Sequence, residues 1–465
     1  MKLQGFYPPT PFLSVLAATV ADPSPVDYGK VGESERERIL ARGLSDAQRG
    51  EISAVIDGAY DRQHGGWGRI KSVDGPSFDW MLDRALAGDK EAEARIRKTL
   101  TSMLALVDKD VGAIRQVAMK PDWTDSPREF PMFAQQAALA AYLRAWTMFG
   151  DAAYRTAADR IFAFLKNTMV GPGGGFYTSM GLAEGQAGID RRHYSRETGQ
   201  AIAGLVAYYD ATGDKSARDI AIAAADWALR ERGLPQGGFR HDARDTAGPF
   251  LADSVEMGWA FILLHRSTAD RKWLTHSAET AEFIISNFIE PRTGGFVATA
   301  APEARYRPKP VKQREYNVKA TRFFNLLSFY TGQDRYREVA EAGMGHLVSP
   351  PLEGPYSFLP DVLRTETELK NEPVHITVVG AKADPRAAAL FASALRYPDN
   401  YKRAEWWDKS EGRLTNHDIE YEDHPDGPAA FACTRNFCSL PVTDPAAISA
   451  QIARLQRSLP EKTTR

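Results

Sequence analysis

Cysteine is almost absent from this chain: 465 residues hold two, Cys433 and Cys438, both inside "FACTRNFCSLPVTDP" (431–445). That scarcity excludes a disulfide framework and a four-cysteine zinc site. Net charge is absent as well. Lysine and arginine total 58 against 60 acidic residues, a formal charge of −2, with the cations scattered along the chain. Nothing there draws in nucleic acid or an anionic membrane surface. Long apolar runs are missing, none reaching the roughly 18–20 residues that span a bilayer. "PFLSVLAATVA" (11–21) follows one lysine, with three prolines in or before it, and makes a poor export signal, so a cytoplasmic location is expected. "GPGGGF" (171–176) lacks the following lysine and threonine of a phosphate loop, and no nucleophile elbow or metal cluster appears. No cofactor and no metal are expected.

What is present is a repeat. Four segments, 136–165, 199–229, 255–285 and 318–347, each read as an apolar helix, a short polar turn and an amphipathic helix. The turns "FGD", "TGD", "TAD" and "TGQ" are anchored at Gly150, Gly213, Ala269 and Gly332. A weaker copy, 81–107, turns at Gly88, and successive anchors lie 62, 63, 56 and 63 residues apart. Connectors "GPGGGFYT", "PQGGFRHD" and "PRTGGFVAT" close three hairpins, and "HGGWG" (64–68) closes a first helix near 45–60 in the same manner. Paired glycines supply the backbone conformations that end a helix and turn the chain. First helices apolar on nearly every side belong inside, amphipathic ones outside. Five hairpins and an unpaired helix approach six, which predicts a mainly α fold, an (α/α)6 toroid; an open superhelical stack is the alternative. After about 365 the pattern changes to "PVHITVVG", "DPRAAALFASAL", "RAEWWD", the cysteine segment and a last helix over 444–459, a small C-terminal α/β appendage. The expected division is an N-terminal extension (1–40), the toroid (41–365) and the C-terminal lobe (366–465).

The ordered run of "YDRQHGGWG", the "GGFY" connector, "PFLADSVEMGWAFILL", "RPK…N" and the terminal "VVG…CTRNFCSLPVTDP" resembles one family. It is the thioredoxin-domain-containing family of spermatogenesis-associated protein 20 and the bacterial YyaL proteins. The resemblance implies a six-hairpin toroid related to glycosidases and sugar 2-epimerases. It also implies a thioredoxin-like domain ahead of the toroid, of which residues 1–40 would be a remnant, and hence a separately encoded thioredoxin-like partner. Family members open the second hairpin with His-Phe-Glu-Lys-Met; here "REFPMF" (128–133) puts Glu129 in place of the histidine and Pro131 in place of the glutamate.

The cysteine pair has three readings. Four intervening residues on a strand and turn do not make the Cys-x-x-Cys of a redox helix start. Structural packing is the first reading; a reversible disulfide and a metal site are the others.

In such a toroid the loops entering the inner helices gather at one rim. Counting fifteen and sixteen residues back from the anchors gives Gln135, Thr198, Ser254 and Asn317, then Ala134, Glu197, Asp253 and Tyr316. Four polar residues in register suggest a polar lumen. Sugar chemistry needs a proton-donating carboxylic acid and a carboxylate, or for epimerisation two bases. Asp190 and Asp253 are therefore the candidates for a hydrolase, His193 and His241 for an epimerase. Asp61, Trp67, Glu129, Tyr194, Glu197, Arg307, Glu315 and Asn317 are candidate substrate-binding residues. A non-catalytic ligand-binding scaffold is the alternative.

Overall fold

The structure, a computed structural model, describes residues 43–183, 186–244, 248–290, 294–300, 311–349, 359–421, 424–434 and 438–458, and singly 13, 17 and 20. A lone helix α1 (Asp46–Ala59) leads into the hairpins α2 (Gly75–Leu86) with α3 (Lys90–Met103), and α4 (Met132–Phe149) with α5 (Ala152–Phe164). There follow α6 (Ser195–Thr212) with α7 (Lys215–Glu231), α8 (Leu251–Thr268) with α9 (Arg271–Phe288), and α10 (Arg314–Thr331) with α11 (Asp334–Leu347). Helix α12 (Leu359–Lys370) continues past 365, where the sequence pattern changes.

Each hairpin turn is built by two residues. Gly150, Gly213 and Gly332 end the inner helices in the left-handed conformation, and so does Ala269 at φ 53° despite its Cβ. The aspartate after three of these anchors then caps the outer helix: Asp151 accepts from the Ala153 N–H, Asp214 from Ser216, and Asp270 from Lys272. In "TGQ" Gln333 takes the aspartate's place, and α11 starts without a side-chain cap.

Helices α2, α4, α6, α8, α10 and α12 pack in that order, and α12 returns against α2, so the ring is closed. The open stack is excluded. The unpaired α1 packs against α12, completing the sixth hairpin from the two ends of the repeat region. The closing seam adds charge to apolar packing: Phe78, Met81 and Leu82 of α2 and Val362 and Leu363 of α12 belong to one buried core. Arg364, 2% exposed, reaches Asp79 (3.0 Å), Asp83 (2.7 Å) and Asp361 (3.1 Å). Arg144 from α4 joins at Asp83 (2.5 Å). Burial opposes ionisation of Asp83, but the two arginines hold its carboxyl down at about 2.

Two small sheets decorate the rim where inner helices begin. Strands β1 (Lys71–Ser72) and β2 (Val117–Ala118) pair, and β3 (Glu129–Pro131), β4 (Ser179–Ala183) and β5 (Gln186–Asp190) form an antiparallel sheet. The opposite end carries the lobe. Its sheet runs in the order β7 (Lys402–Trp407), β6 (Val374–Val379), β8 (Ala429–Cys433), parallel between β6 and β7, with α13 (Pro385–Arg396) as crossover and α14 (Ile448–Ser458) behind. The lobe has its own apolar core around Ile376, Val378, Leu390 and Ile452. It grips the C-terminal ends of the inner helices. Lys382 donates to the Ala269 carbonyl (3.0 Å), Arg396 to Ala211 (3.3 Å) and Asn416 to Phe329 (2.8 Å), while Arg144 reaches out to Pro398 (2.6 Å). The lumen thus has a floor.

Cys433 and Cys438 face each other across a hairpin, with Ala432 and Ser439 as the next rung, and are joined in a disulfide. Of the three readings of the pair, the structure carries the disulfide: strand pairing, invisible in a spacing of four residues, brings the two cysteines together. Among the described residues no helix is long and apolar enough to cross a membrane.

Two outcomes follow. Replacing Arg364 by methionine leaves the Asp83 and Asp79 carboxylates without their main partner and should cost about 3 kcal/mol in chemical denaturation. In the wild type the Asp83 contribution is complete above pH ~4 and fades as pH falls toward its folded-state value of about 2. Thiol titration of the denatured, unreduced protein should find no free cysteine, and two after reduction.

Candidate functional site

The polar residues in register prove to be structural latches. Helices α1, α3, α5, α7 and α9 are each followed by a connector closed by one backbone bridge, as in Ile289↔Phe296 and Gly233↔Phe239. Such a loop leaves backbone groups that must find partners. Asn317 accepts from the Phe296 N–H (2.7 Å) and donates to its carbonyl (2.9 Å). Gln135 does the same for Ile114 at 2.9 and 2.7 Å, and Ser254 accepts from Phe239 (3.3 Å). Asn317 is fully buried. Its predicted role in substrate binding is corrected: the amide is spent on the connector. Thr198, the fourth member, keeps a buried hydroxyl with no hydrogen-bond partner.

The lumen-facing stripe lies at other positions. On α8 only Ala252, Trp259 and Thr268 escape burial. Ala252 stands seventeen residues before its anchor, and the same count gives Phe133, Arg196 and Glu315. One turn deeper, thirteen before, stand Ala137, Gln200, Glu256 and Lys319; ten before, Ala140, Ala203, Trp259 and Arg322. The middle layer is bonded from helix to helix. Gln200 donates to Glu256 (3.4 Å), whose other oxygen is paired with Lys319. Below it the Arg322 guanidinium lies 5.6 Å over the Trp259 ring and is bidentate to Glu368 at 2.8 Å. Glu315 is exposed to solvent in the first turn of α10, with Glu256, Lys319, Arg196 and Asp361 close enough to act on its charge. Burial raises its pKa, and the charges of Glu256 and Asp361 push the same way against Lys319 and Arg196.

Beside this stripe stands a histidine–carboxylate pair. His241 Nδ1 lies 3.0 and 3.1 Å from the two oxygens of Asp253, which is fully buried. Asp253 does not cap its own helix; it accepts from the Arg196 N–H (2.9 Å) in the first turn of α6, a cap supplied by a neighbour. Hydrogen bonding to Asp253 raises the His241 pKa against the effect of burial. Burial raises Asp253, opposed by His241 and Arg196. Tyr194 stacks on the imidazole at 4.1 Å, and the Arg192 guanidinium lies 5.5 Å over the Tyr194 ring. Arg192 in turn pairs with Asp190 (2.8 Å). Asp190 and Asp253 are thus separated by three intervening side chains and are not a directly facing carboxylate pair.

The remaining candidates divide. Glu197 is buried, with one oxygen on Arg196 (2.9 Å) and the other without a partner. His193 faces away from the lumen, between Tyr177 (4.9 Å) and Trp227 (5.5 Å) of α7, and burial lowers its pKa. The predicted epimerase pair of His193 and His241 is therefore not assembled. Asp61 is a turn residue, accepting from Gln63 and His64 and pairing with the buried Lys71 (2.8 Å). Trp67, 3% exposed, is core rather than a sugar platform. Glu129 is exposed at the start of β3. Arg307 lies outside the described residues. Arg196, Lys319 and Glu256 were not among the site candidates; counting thirteen and seventeen back from the anchors, instead of fifteen, would have found them.

A cavity of about 540 Å3 opens at the other end, between α10–α12 and the lobe, lined by Arg337, Asn371, His375, Arg403 and Asp418 among others. Its charged groups serve one another: Arg403 pairs with Glu405 (2.8 Å) and Asp418 (2.9 Å), and Arg337 with Asn325 (2.5 Å). It is the seam of the lobe and lies far along the helices from His241.

Residues 137–342, less than half of the chain, match the family model described as the β-L-arabinofuranosidase GH127 catalytic domain. No curated protein sequence matches the chain. Among solved structures, the cellobiose 2-epimerase of Bacillus thermoamylovorans aligns at a TM-score of 0.57 and 9% identity over 73% of this chain and 98% of its own. A sugar epimerase from a ruminal bacterium aligns at 0.56 and 12% identity over 73% and 98%. A family 76 glycoside hydrolase (mannosidase) of Bacteroides thetaiotaomicron gives 0.53 and 14% over 73% and 100%. At these identities the likeness is one of fold, and it confirms the (α/α)6 toroid.

Replacing Asp253 by asparagine removes the charge that holds the proton on His241. The imidazole pKa, followed by NMR, should be above the usual ~6.5 in the wild type and fall in the variant. An unchanged value would mean that the two side chains are not paired in solution.

Proposed function

We propose that the chain is a carbohydrate-active enzyme of the six-hairpin toroid type, acting as a glycoside hydrolase or a sugar epimerase. The observation that carries this reading is the position of Glu315. It is an exposed carboxyl at the mouth of a closed-floored lumen, one turn above the Glu256–Lys319 pair and near Arg196. The match to a glycosidase catalytic domain over 137–342 supports it. Glu315, whose pKa is raised by burial and by the charges of Glu256 and Asp361, is assigned the general acid that protonates a sugar oxygen. Glu256, oriented by Gln200 and Lys319, supplies the carboxylate, and His241 with Asp253 supplies a second proton carrier at the rim.

A second reading is favoured by one observation: the lumen carboxylates are paired with arginine or lysine, as Glu197, Glu256 and Glu368 show. In it the toroid is a ligand-binding scaffold that works with a separately encoded thioredoxin-like protein. A cytoplasmic location is part of this proposal, and in a reducing cytoplasm the Cys433–Cys438 bond would be reversible.

Turnover on a panel of aldoses and disaccharides, followed by NMR, decides between them. Glu315→Gln should lower kcat by roughly a hundredfold to ten-thousandfold while leaving the melting temperature unchanged. In the wild type, rate should fall as pH rises through the elevated Glu315 pKa, and the glutamine variant should lose that limb. Equal rates for the two proteins, or no turnover with any sugar, would favour the scaffold.

A further inference from the structure

One lumen-facing residue is used by none of the chemistry above. Phe133, in the first turn of α4, is 43% exposed, whereas its neighbours Met132, Ala134 and Gln135 are fully buried. A lone exposed aromatic means little on an outer surface. Phe133, however, occupies the repeat position of Arg196 and Glu315, at the mouth of the lumen. Beneath it α4 presents only the small Ala137 and Ala140, where the other helices present Gln200, Glu256, Lys319, Trp259 and Arg322. The mouth is therefore two-sided: an apolar wall with one aromatic ring on α4, and hydrogen-bonding groups on α6, α8 and α10.

That division matches a sugar ring, which has an apolar C–H face and a periphery of hydroxyls. The lumen cations add a second constraint. Arg196 is committed to Glu197, Lys319 to Glu256, Arg322 to Glu368, and Arg364 to Asp79 and Asp83. Among the described residues, a substrate carboxylate meeting one of these cations would have to break its pair. Resting on the carbohydrate reading, we infer that Phe133 is the platform on which the apolar face of a neutral sugar stacks, with Arg196, Glu315 and Lys319, polar groups of the stripe that are not buried, taking its hydroxyls. The site selects uncharged sugars over sugar acids.

The test is calorimetric titration of the wild type, Phe133→Ala and Phe133→Trp with D-mannose, cellobiose and D-glucuronate. Circular dichroism checks that each variant is folded. Neutral sugar should bind the wild type, weaken on the order of tenfold in the alanine variant, and recover in the tryptophan variant, which restores an aromatic face. Glucuronate should bind more weakly than either neutral probe. Unchanged affinity in Phe133→Ala would overturn the platform while leaving the sugar reading in place. Preferential binding of glucuronate would overturn the neutral class. No binding of either neutral probe to the wild type would remove the inference together with the reading beneath it.

Discussion

Ring closure is the constraint on which this structure depends. Six inner helices enclose a lumen only if the last meets the first, and here that contact joins α12 to α2 from opposite ends of the repeat region. An arginine, Arg364, makes it, with carboxylates of α2 and α12 around it. Apolar side chains of both helices share one core, and the ion pairs added to it are not the cheaper source of stability, since burying charge is expensive even when it is paired. A charged seam has a different property: it is directional. Hydrophobic contact tolerates a helix sliding or rolling, whereas three carboxylates around one guanidinium do so poorly. The stagger of α12 against α2 sets the level at which Asp361 stands, and Asp361 is one of the groups that raises the Glu315 pKa. Closure and lumen chemistry therefore share residues.

The rim follows a similar economy of parts. Asp253 caps the neighbouring helix α6 and holds the His241 ring. Gly199 lets α6 approach α8 so closely that a Cβ there would lie 2.8 Å from the Glu256 backbone. Without that approach Gln200 and Glu256 would not sit side by side. The site is thus positioned by backbone contacts between successive inner helices, and the connector latches at Gln135, Ser254 and Asn317 fix where each helix starts.

The hairpins were legible because each is local: an apolar helix, a glycine anchor, an aspartate cap. The β-branched run, crossover helix and strand of the lobe were legible for the same reason. The sixth hairpin was not, since α1 and α12 are joined only in space. Nor was the lumen stripe. A helix buried on all sides has no polar face to mark the remaining direction, so fifteen residues back from an anchor and thirteen back look alike until the neighbours are present. Buried polar residues such as Asn317 then pass for a site when they satisfy a loop. His193 and His241 are equally plausible in sequence, and only the packing of Trp227 and Asp253 separates them.

The lobe that grips the ends of α4, α6, α8 and α10 also settles the traffic through the molecule. With one end stoppered, the toroid is a cup and not a tube. Whatever reaches Glu256 must back out past Phe133 and Glu315, the way it entered. Under the carbohydrate reading proposed above, a long polymer would have no exit to thread toward, and only a chain terminus or a free small molecule would be fully seated.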